Sequence, residues 1–287
     1  MKKILITGAN GMLANSVKER LSNYELTCTD VADLDITDEK AVLEFVRQLK
    51  PDYIVNCAAY TAVDKAEEAG EIVKRINSDG PGNLAKAAKA VDATLVHIST
   101  DYVFDGDLDV QNAYKEENQT GPVTVYGITK LQGEEQVKAN ADKYYIFRTA
   151  WLYGEGNNFV RTMLKLGESR EEISVVDDQH GSPTYAEDLA NIIGQAIEKE
   201  IPYGVYHSTN EGFTTWYDFT KAIFEYAKVD CKVNPVSTEK YIEMMNIVQA
   251  KRPKNSQLSK EKLAKVGIQV PAWEDALKRY LVKEGKM

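Results

Sequence analysis

Apolar and polar positions alternate in blocks along the first half of the chain. The run Lys3–Thr7 is almost wholly apolar, as buried strands are, and apolar residues then recur with helical spacing from Met12 to Leu21. Further strand-like runs are Glu25–Asp30, Tyr53–Ala59, Thr94–Asp101, Tyr144–Arg148 and Gly204–His207. Helix-like stretches are Glu39–Leu49, about 71–91, the stretch after Tyr126, Phe159–Leu166, Asp188–Ile197, Trp216–Ala227 and Trp273–Val282. This alternation predicts an α/β protein with a doubly wound parallel sheet.

A glycine-containing turn joins the first strand to the first helix. Its spacing is G-x-x-G-x-x-A, from Gly8 through Gly11 to Ala14. Gly8 permits a tight turn, and Gly11 lets the backbone approach a pyrophosphate, which the helix N-terminus then attracts. An ordinary strand–helix loop is the alternative, but the position after the first strand favours a nucleotide site. From the spacing alone, the residues of that site would be Gly8 and Gly11.

An acidic residue closes the second strand-like run, about 20 residues past the glycine turn, where a carboxylate accepts hydrogen bonds from the adenosine ribose. This residue is Asp30, and no Arg or Lys lies between it and Glu39. A 2′-phosphate would therefore meet a negative charge without compensation, so the sequence predicts NADH as the cofactor, with NADPH as the alternative. A plain turn acid is the competing interpretation of Asp30.

The carboxyl ends of parallel strands meet at one edge of the sheet, and doubly wound folds bind ligands there. These ends carry Gly8–Gly11, Asp30, Ala58–Thr61 and Ser99–Asp101. We expect residues 1–152 and about 186–230 to form a Rossmann-type NAD-binding domain. Residues of about 153–185 and 231–287 are expected to form a smaller substrate-binding lobe.

Composition excludes several classes of partner. A net charge of −9 argues against non-specific binding to nucleic acid or anionic membranes, so an anionic ligand would need a local basic pocket. The cysteines Cys28, Cys57 and Cys231 lack metal-ligand spacing and are expected to be reduced thiols in a cytoplasmic protein. No apolar run approaches the ~18–20 residues that span a bilayer.

A tyrosine and a lysine lie four residues apart, at Tyr126 and Lys130, where helical periodicity begins. On a helix the two side chains share one face, so a phenol and an ammonium can point into the same cleft. A nearby cation lowers the pKa of a phenol, and the pair could then pass a proton to a carbonyl oxygen. Two unrelated residues on a helix surface are the alternative, and a redox cofactor nearby would decide between them.

Several sequence blocks together resemble a known family. They are the glycine turn and the segments Asn56–Glu67, Ser99–Gly106, Val125–Leu131, Phe147–Tyr153, Asp178–Thr184 and Arg252–Ser256. The chain resembles the extended short-chain dehydrogenases/reductases and, within them, the dTDP-4-dehydrorhamnose reductase family. The blocks occur in family order over most of the chain, which makes them more specific than any single motif.

The resemblance implies roles for individual residues. The catalytic residues would be Thr100, Tyr126 and Lys130. Besides Gly8, Gly11 and Asp30, the cofactor would contact Asn10, Met12, Leu13, Asp35, Ile36, Ala58, Ala59, Tyr60, Thr61, Ile98, Tyr126 and Lys130. The substrate would contact Thr100, Asp101 and Trp151. Cations that could hold its diphosphate are Lys251, Arg252 and Lys254, or Arg161 and Lys165; Arg252 is the predicted contact.

The resemblance also implies a reaction, the NADH-dependent reduction of the C4 keto group of dTDP-4-dehydro-L-rhamnose. Two alternatives stay open, a non-catalytic regulatory subunit that binds dinucleotide and a nucleotide-sugar epimerase or dehydratase that shares the Tyr–Lys pair. Asn15 stands where some members carry a glutamate that binds Mg²⁺ at a dimer interface. We therefore predict no metal site, and a homodimer is left open.

Overall fold

Strands and helices alternate along the protein, whose computed structural model describes residues 1–287. The strands are β1 (Lys3–Thr7), β2 (Glu25–Thr29), β3 (Tyr53–Asn56), β4 (Thr94–Thr100), β5 (Tyr144–Thr149), β6 (Leu152–Tyr153), β7 (Glu172–Val176), β8 (His180–Gly181), β9 (Thr184–Tyr185), β10 (Gly204–His207), β11 (Thr214–Thr215), β12 (Lys232–Val236) and β13 (Asn255–Ser256). The helices are α1 (Met12–Arg20), α2 (Glu39–Leu49), α3 (Val63–Ala66), α4 (Gly70–Lys74), α5 (Gly80–Ala90), α6 (Val125–Asn140), α7 (Phe159–Ser169), α8 (Ala186–Lys199), α9 (Trp216–Ala227), α10 (Thr238–Met245), α11 (Glu261–Lys265) and α12 (Trp273–Lys283).

Six of these strands form the central sheet, in the order β10-β5-β4-β3-β1-β2, and every neighbouring pair is parallel. Apolar residues of α1 and α8 pack on one face of the sheet, and those of α2, α5 and α6 pack on the other. The predicted α/β class with a doubly wound parallel sheet is confirmed. None of the helices combines the length and apolar character that crossing a membrane requires.

Side-chain alternation along each strand supplies both halves of this core. In β1, Ile4 and Ile6 face the α1 and α8 layer, whereas Leu5 faces the layer of α2, α5 and α6. The same alternation separates Val55 from Ile54 in β3. Because successive side chains of a strand point to opposite faces, a strand covered by helices on both faces must be apolar throughout.

A second apolar core lies outside the central sheet and is built from α7, α9, α12 and the parallel pair β7 and β12. The predicted boundary near residue 230 assigns α9 to the dinucleotide-binding domain. In the structure, however, Phe219, Ile223 and Phe224 of α9 are buried in this second core. Conversely, Leu263 of α11 packs in the core of the central sheet. The chain therefore passes between the two cores more often than the predicted domain boundaries imply. The division into two lobes stays a prediction.

Local hydrogen bonds explain where the structure departs from the predicted element bounds. Strand β3 ends at Asn56 rather than at Ala59, because the Asn56 side chain accepts a hydrogen bond from the backbone N–H of Ala58 at 3.1 Å and turns the chain. Helix α2 is capped by Asp38, whose carboxylate accepts from the Ala41 N–H at 3.0 Å. The predicted helix of about 71–91 contains a π-helical stretch, Arg75–Asp79, between α4 and α5.

Candidate active site

A cavity of about 480 Å³ opens at the carboxyl ends of the central strands. Twelve of the residues predicted from the sequence line it: Gly11, Met12, Leu13, Ala58, Ala59, Thr61, Ile98, Thr100, Asp101, Tyr126, Lys130 and Trp151. Ser99, expected at the same strand end as Thr100 and Asp101, also lines it. The lining further includes residues that the sequence did not place in the site: Asn56, Cys57, Val63, Tyr102, Thr149, Ala150, Leu152 and Asn157. The structure thus brings the glycine turn, the Tyr–Lys pair and the predicted sugar contacts to one cleft.

The glycine turn is shaped by two close approaches. Gly8 has a φ of +66°, and a Cβ there would lie 2.6 Å from the backbone nitrogen of Ala58, so only glycine fits. The Gly11 N–H donates to the carbonyl of Gly8 at 3.0 Å and closes the turn. No side chain caps the start of α1, so its first N–H groups are free to bind a ligand at the edge of the cavity.

The predicted adenosine contacts lie outside the lining of the cavity. The Asp30 carboxylate accepts from the backbone N–H groups of Asn10 at 3.0 Å and Val31 at 2.8 Å, which ties the end of β2 to the glycine turn. Asp35 accepts from the N–H of Thr37 at 2.9 Å.

Two further predicted contacts are held mainly through their backbone. The side chain of Ile36 is buried, and its carbonyl accepts from Asn83 at 3.0 Å. The backbone of Tyr60 is clamped by both ends of the Asn77 amide, at 2.8 Å and 3.0 Å. Any contact of these two residues with a nucleotide stays a prediction.

Helix α6 presents Tyr126 and Lys130 to the cavity. The helix approaches the 3-10 turn Asp101–Val103 closely, and Gly127 permits this because any Cβ there would collide with the carbonyl oxygen of Tyr102. The ring of Tyr126 meets that of Tyr102 edge-on, with centroids 5.5 Å apart. The ring of Tyr102 therefore helps to fix the position of the phenol.

The electrostatics of this pair differ from the prediction. Burial raises the pKa of Tyr126 above its ordinary value, and the Thr100 hydroxyl opposes this shift. Lys130 does not lower it, because its ammonium donates to the carbonyl of Ile98 at 2.6 Å instead. Burial also lowers the pKa of Lys130 to about 8, against the opposing charge of Glu134. In the protein alone the phenol is therefore a neutral proton donor.

A buried carboxyl stands directly behind Thr100. The Thr100 hydroxyl donates to one oxygen of Asp101 at 2.8 Å, and the Ser256 hydroxyl donates to the other. Burial raises the pKa of Asp101 to about 6, although both hydroxyls lower it. Because hydroxyls already engage both oxygens, the predicted contact between Asp101 and the substrate has little free surface, and Asp101 is 4% exposed.

Trp151 reaches the cavity through a constrained backbone. Its φ is +49°, a left-handed conformation that is rare for a bulky residue. Its ring stacks on Trp216 with centroids 3.6 Å apart, and Gly181 leaves room for it, since a Cβ there would lie 2.8 Å from the indole. The surroundings thus hold Trp151 as an aromatic wall of the cleft.

Arg252 lies beside the cleft rather than in its lining. One guanidinium nitrogen donates to both oxygens of Asp64 at 2.6 Å and 2.8 Å, and another donates to the hydroxyl of Tyr102 at 3.2 Å. Tyr102 itself lines the cavity, so Arg252 is one side chain away from it. Of the other predicted cations, Lys251 pairs with Asp107 and Arg161 pairs with Glu284.

A buried ion pair that the sequence did not reveal joins α6 to β5 of the central sheet. Arg148 of β5 donates to both oxygens of Glu134 at 2.8 Å and 2.7 Å, and both side chains are almost fully buried. Burial raises the pKa of Glu134, but Arg148 and the hydroxyl of Ser99 outweigh it and lower the pKa below its usual range. The sequence holds one signal that Glu134 faces inward: it lies four residues after Lys130 and therefore on the same face of the helix.

The fold and this cleft define a protein of the extended short-chain dehydrogenase/reductase class. The chain belongs to the RmlD substrate-binding domain family, because the model of that family matches residues 1–285. It is 42% identical over 297 residues to the dTDP-4-dehydrorhamnose reductase of Salmonella typhimurium, covering 98% of this chain and 97% of that protein. The resemblance inferred from the sequence blocks is thereby confirmed.

Two solved structures are similar over almost the whole chain. The dTDP-4-dehydrorhamnose reductase of Clostridium acetobutylicum is 46% identical with a TM-score of 0.93, covering 99% of this chain and 100% of that one. That of Bacillus anthracis, solved in complex with NADP, is 43% identical with a TM-score of 0.92 and the same coverage.

Proposed function

We propose that the protein reduces the C4 keto group of dTDP-4-dehydro-L-rhamnose with a reduced nicotinamide dinucleotide, giving dTDP-L-rhamnose. The observation that carries this proposal is the cleft in which Thr100, Tyr126 and Lys130 line the same cavity as the glycine turn. Relatives bearing the corresponding reductase name match nearly the full length of the chain at about 40% identity.

The residues present fit a dinucleotide. Gly8 has room only for a hydrogen against the backbone of Ala58, which holds the turn tight, and the uncapped start of α1 offers N–H groups to a pyrophosphate. Ala58 and Ala59 keep the adjoining wall small. When bound, the cofactor supplies the hydride for the keto carbon. Asp30 at the end of β2 would accept hydrogen bonds from the adenosine ribose.

Tyr126 donates the proton that the keto oxygen needs as negative charge develops on it. Burial keeps the phenol protonated at neutral pH, since it raises the pKa of Tyr126. Thr100 holds the oxygen beside Tyr126 once its hydroxyl turns away from Asp101, to which it donates in the protein alone. The ammonium of Lys130, anchored on the Ile98 carbonyl, adds positive charge to the same cleft and can bind the nicotinamide ribose.

The sugar nucleotide is placed by two further residues. The indole of Trp151, fixed by its stack on Trp216, offers a flat apolar face to the sugar ring. Arg252 offers a guanidinium to the diphosphate, which requires it to exchange Asp64 for a phosphate oxygen. Asp64 is thus the counter-ion of Arg252 only while no substrate is bound.

A direct assay separates this function from its two rivals. The purified protein is incubated with a dTDP-4-keto-6-deoxyhexose and NADH or NADPH, and absorbance at 340 nm is followed. A reductase consumes the absorbance in proportion to the sugar reduced. A regulatory subunit leaves both cofactor and sugar unchanged, and an epimerase or dehydratase changes the sugar without net cofactor use. Either of these outcomes would overturn the proposal.

A further inference from the structure

A lysine of α1 lies against the glycine turn. The ammonium of Lys18 donates to the carbonyl of Ala9 at 2.9 Å. Helical side chains lean toward the helix N-terminus, which brings this long side chain back from the second turn of α1 to the loop before it. Ala9 in turn donates its N–H to the carbonyl of Thr29 at 3.0 Å, so the cation stands where the glycine turn meets the end of β2.

The positive charge of Lys18 acts on the end of β2, and no carboxylate pairs with it there. Burial raises the pKa of Cys28, and the positive charge of Lys18 lowers it, which places the ammonium within electrostatic reach of that strand. Lys18 forms no salt bridge, although the chain has 44 acidic residues. An ammonium has three donors, and only one of them is used by the Ala9 carbonyl.

The neighbouring carboxylate is already committed to the backbone. Asp30 accepts from the N–H groups of Asn10 and Val31. A free cation and a hydrogen-bonded carboxylate therefore border the same Ala9–Asn10 turn. The sequence alone predicted that a 2′-phosphate would meet only negative charge here, because Lys18 lies outside the interval between Asp30 and Glu39.

We propose that Lys18 is a specificity-determining residue that binds the 2′-phosphate of NADPH. The inference rests on the proposed function only in that it requires the dinucleotide to bind at the glycine turn. Asp30 serves the ribose hydroxyls of NADH, and Lys18 supplies the compensating charge when the 2′ position carries a phosphate. Asp30 after β2 and Lys18 of α1 thus each serve one cofactor.

The test measures cofactor binding to the full-length protein in the absence of sugar, by titrating the fluorescence of NADPH and of NADH. Lys18→Met removes the charge and retains the apolar stem. We expect the Kd for NADPH to rise on the order of tenfold or more, as the loss of a charge-assisted contact implies, and the Kd for NADH to change less than about twofold. Lys18→Arg should retain most of the NADPH affinity, and added salt should weaken NADPH binding to the wild type more than binding to Lys18→Met.

Lys221→Met is the matched control, because it removes an exposed lysine from α9 in the second core. It should leave both affinities unchanged. Equal losses for the two cofactors in Lys18→Met, or an unchanged NADPH affinity, would overturn the assignment. Because no sugar is present, this result is independent of the assay for reduction: selective loss of NADPH binding would stand even if the protein failed to reduce the sugar.

Discussion

The buried carboxyl of Asp101 leads to a prediction about the pH dependence of stability, which can be tested without cofactor or substrate. Asp101 is 4% exposed, and its two oxygens accept hydrogen bonds from the hydroxyls of Thr100 and Ser256. Burial nevertheless raises the pKa of Asp101 from 3.8 to about 6. Asp101→Asn keeps the shape of the side chain and removes its ionisation, so it isolates the cost of burying that charge.

The sign and size follow from linkage. The folded state holds the Asp101 proton more tightly than the unfolded chain, so stability is lost as pH rises through the window between the two pKa values. A shift of about two units corresponds to ~3 kcal/mol of lost stability at neutral pH. Roughly 1 kcal/mol of this loss falls between about pH 5.5 and pH 8, where the folded-state carboxyl finishes ionising.

Urea unfolding of the cofactor-free protein at those two pH values provides the measurement. The wild type should lose roughly 1 kcal/mol more than Asp101→Asn on going to the higher pH. Ser256→Ala removes a donor that lowers the pKa of Asp101, so it should move the pH-dependent loss to higher pH. If wild type and Asp101→Asn showed parallel pH dependence, Asp101 would titrate normally and the argument for its burial would fail.

Two further substitutions test the surroundings of the cleft. Glu134→Gln leaves Arg148 charged and buried, and should lower the free energy of unfolding by about 3–5 kcal/mol, whereas Glu135→Gln on the exposed side should cost under ~1 kcal/mol; equal effects on chemical denaturation would contradict the buried pair. Arg252→Ala should lower kcat/KM for the nucleotide sugar by roughly 10- to 100-fold without changing the Kd for NADH, and unchanged kinetics would remove its phosphate role.

Local periodicity was sufficient to predict most of the scaffold. The buried strands are recognisable as short apolar runs, such as Lys3–Thr7, and the helices by apolar residues at helical spacing, such as Met12, Leu13, Val17 and Leu21. The Tyr126–Lys130 spacing also placed both side chains in one cleft, since a helical turn fixes their relative direction.

Contacts between distant parts of the chain could not be read from such repeats. The pairing of Arg252 with Asp64 joins residues 188 positions apart, and no local pattern signals it. Lys18 lies outside the interval from Asp30 to Glu39 that the sequence argument considers. Its side chain returns from α1 to the carbonyl of Ala9, a contact that no local pattern signals. The expected effect of Lys130 on Tyr126 failed because a backbone carbonyl competes for the ammonium.

The most direct test of the central claim is Tyr126→Phe, which removes only the phenolic hydroxyl from the cleft. Steady-state reduction of the dTDP-4-keto sugar is followed at 340 nm, and cofactor affinity is measured separately by fluorescence. The account predicts a fall in kcat of roughly 10²- to 10⁴-fold, as expected for loss of a general acid, with the Kd for NADH and NADPH nearly unchanged. A variant that retained the wild-type kcat would contradict the assignment of Tyr126 as the proton donor.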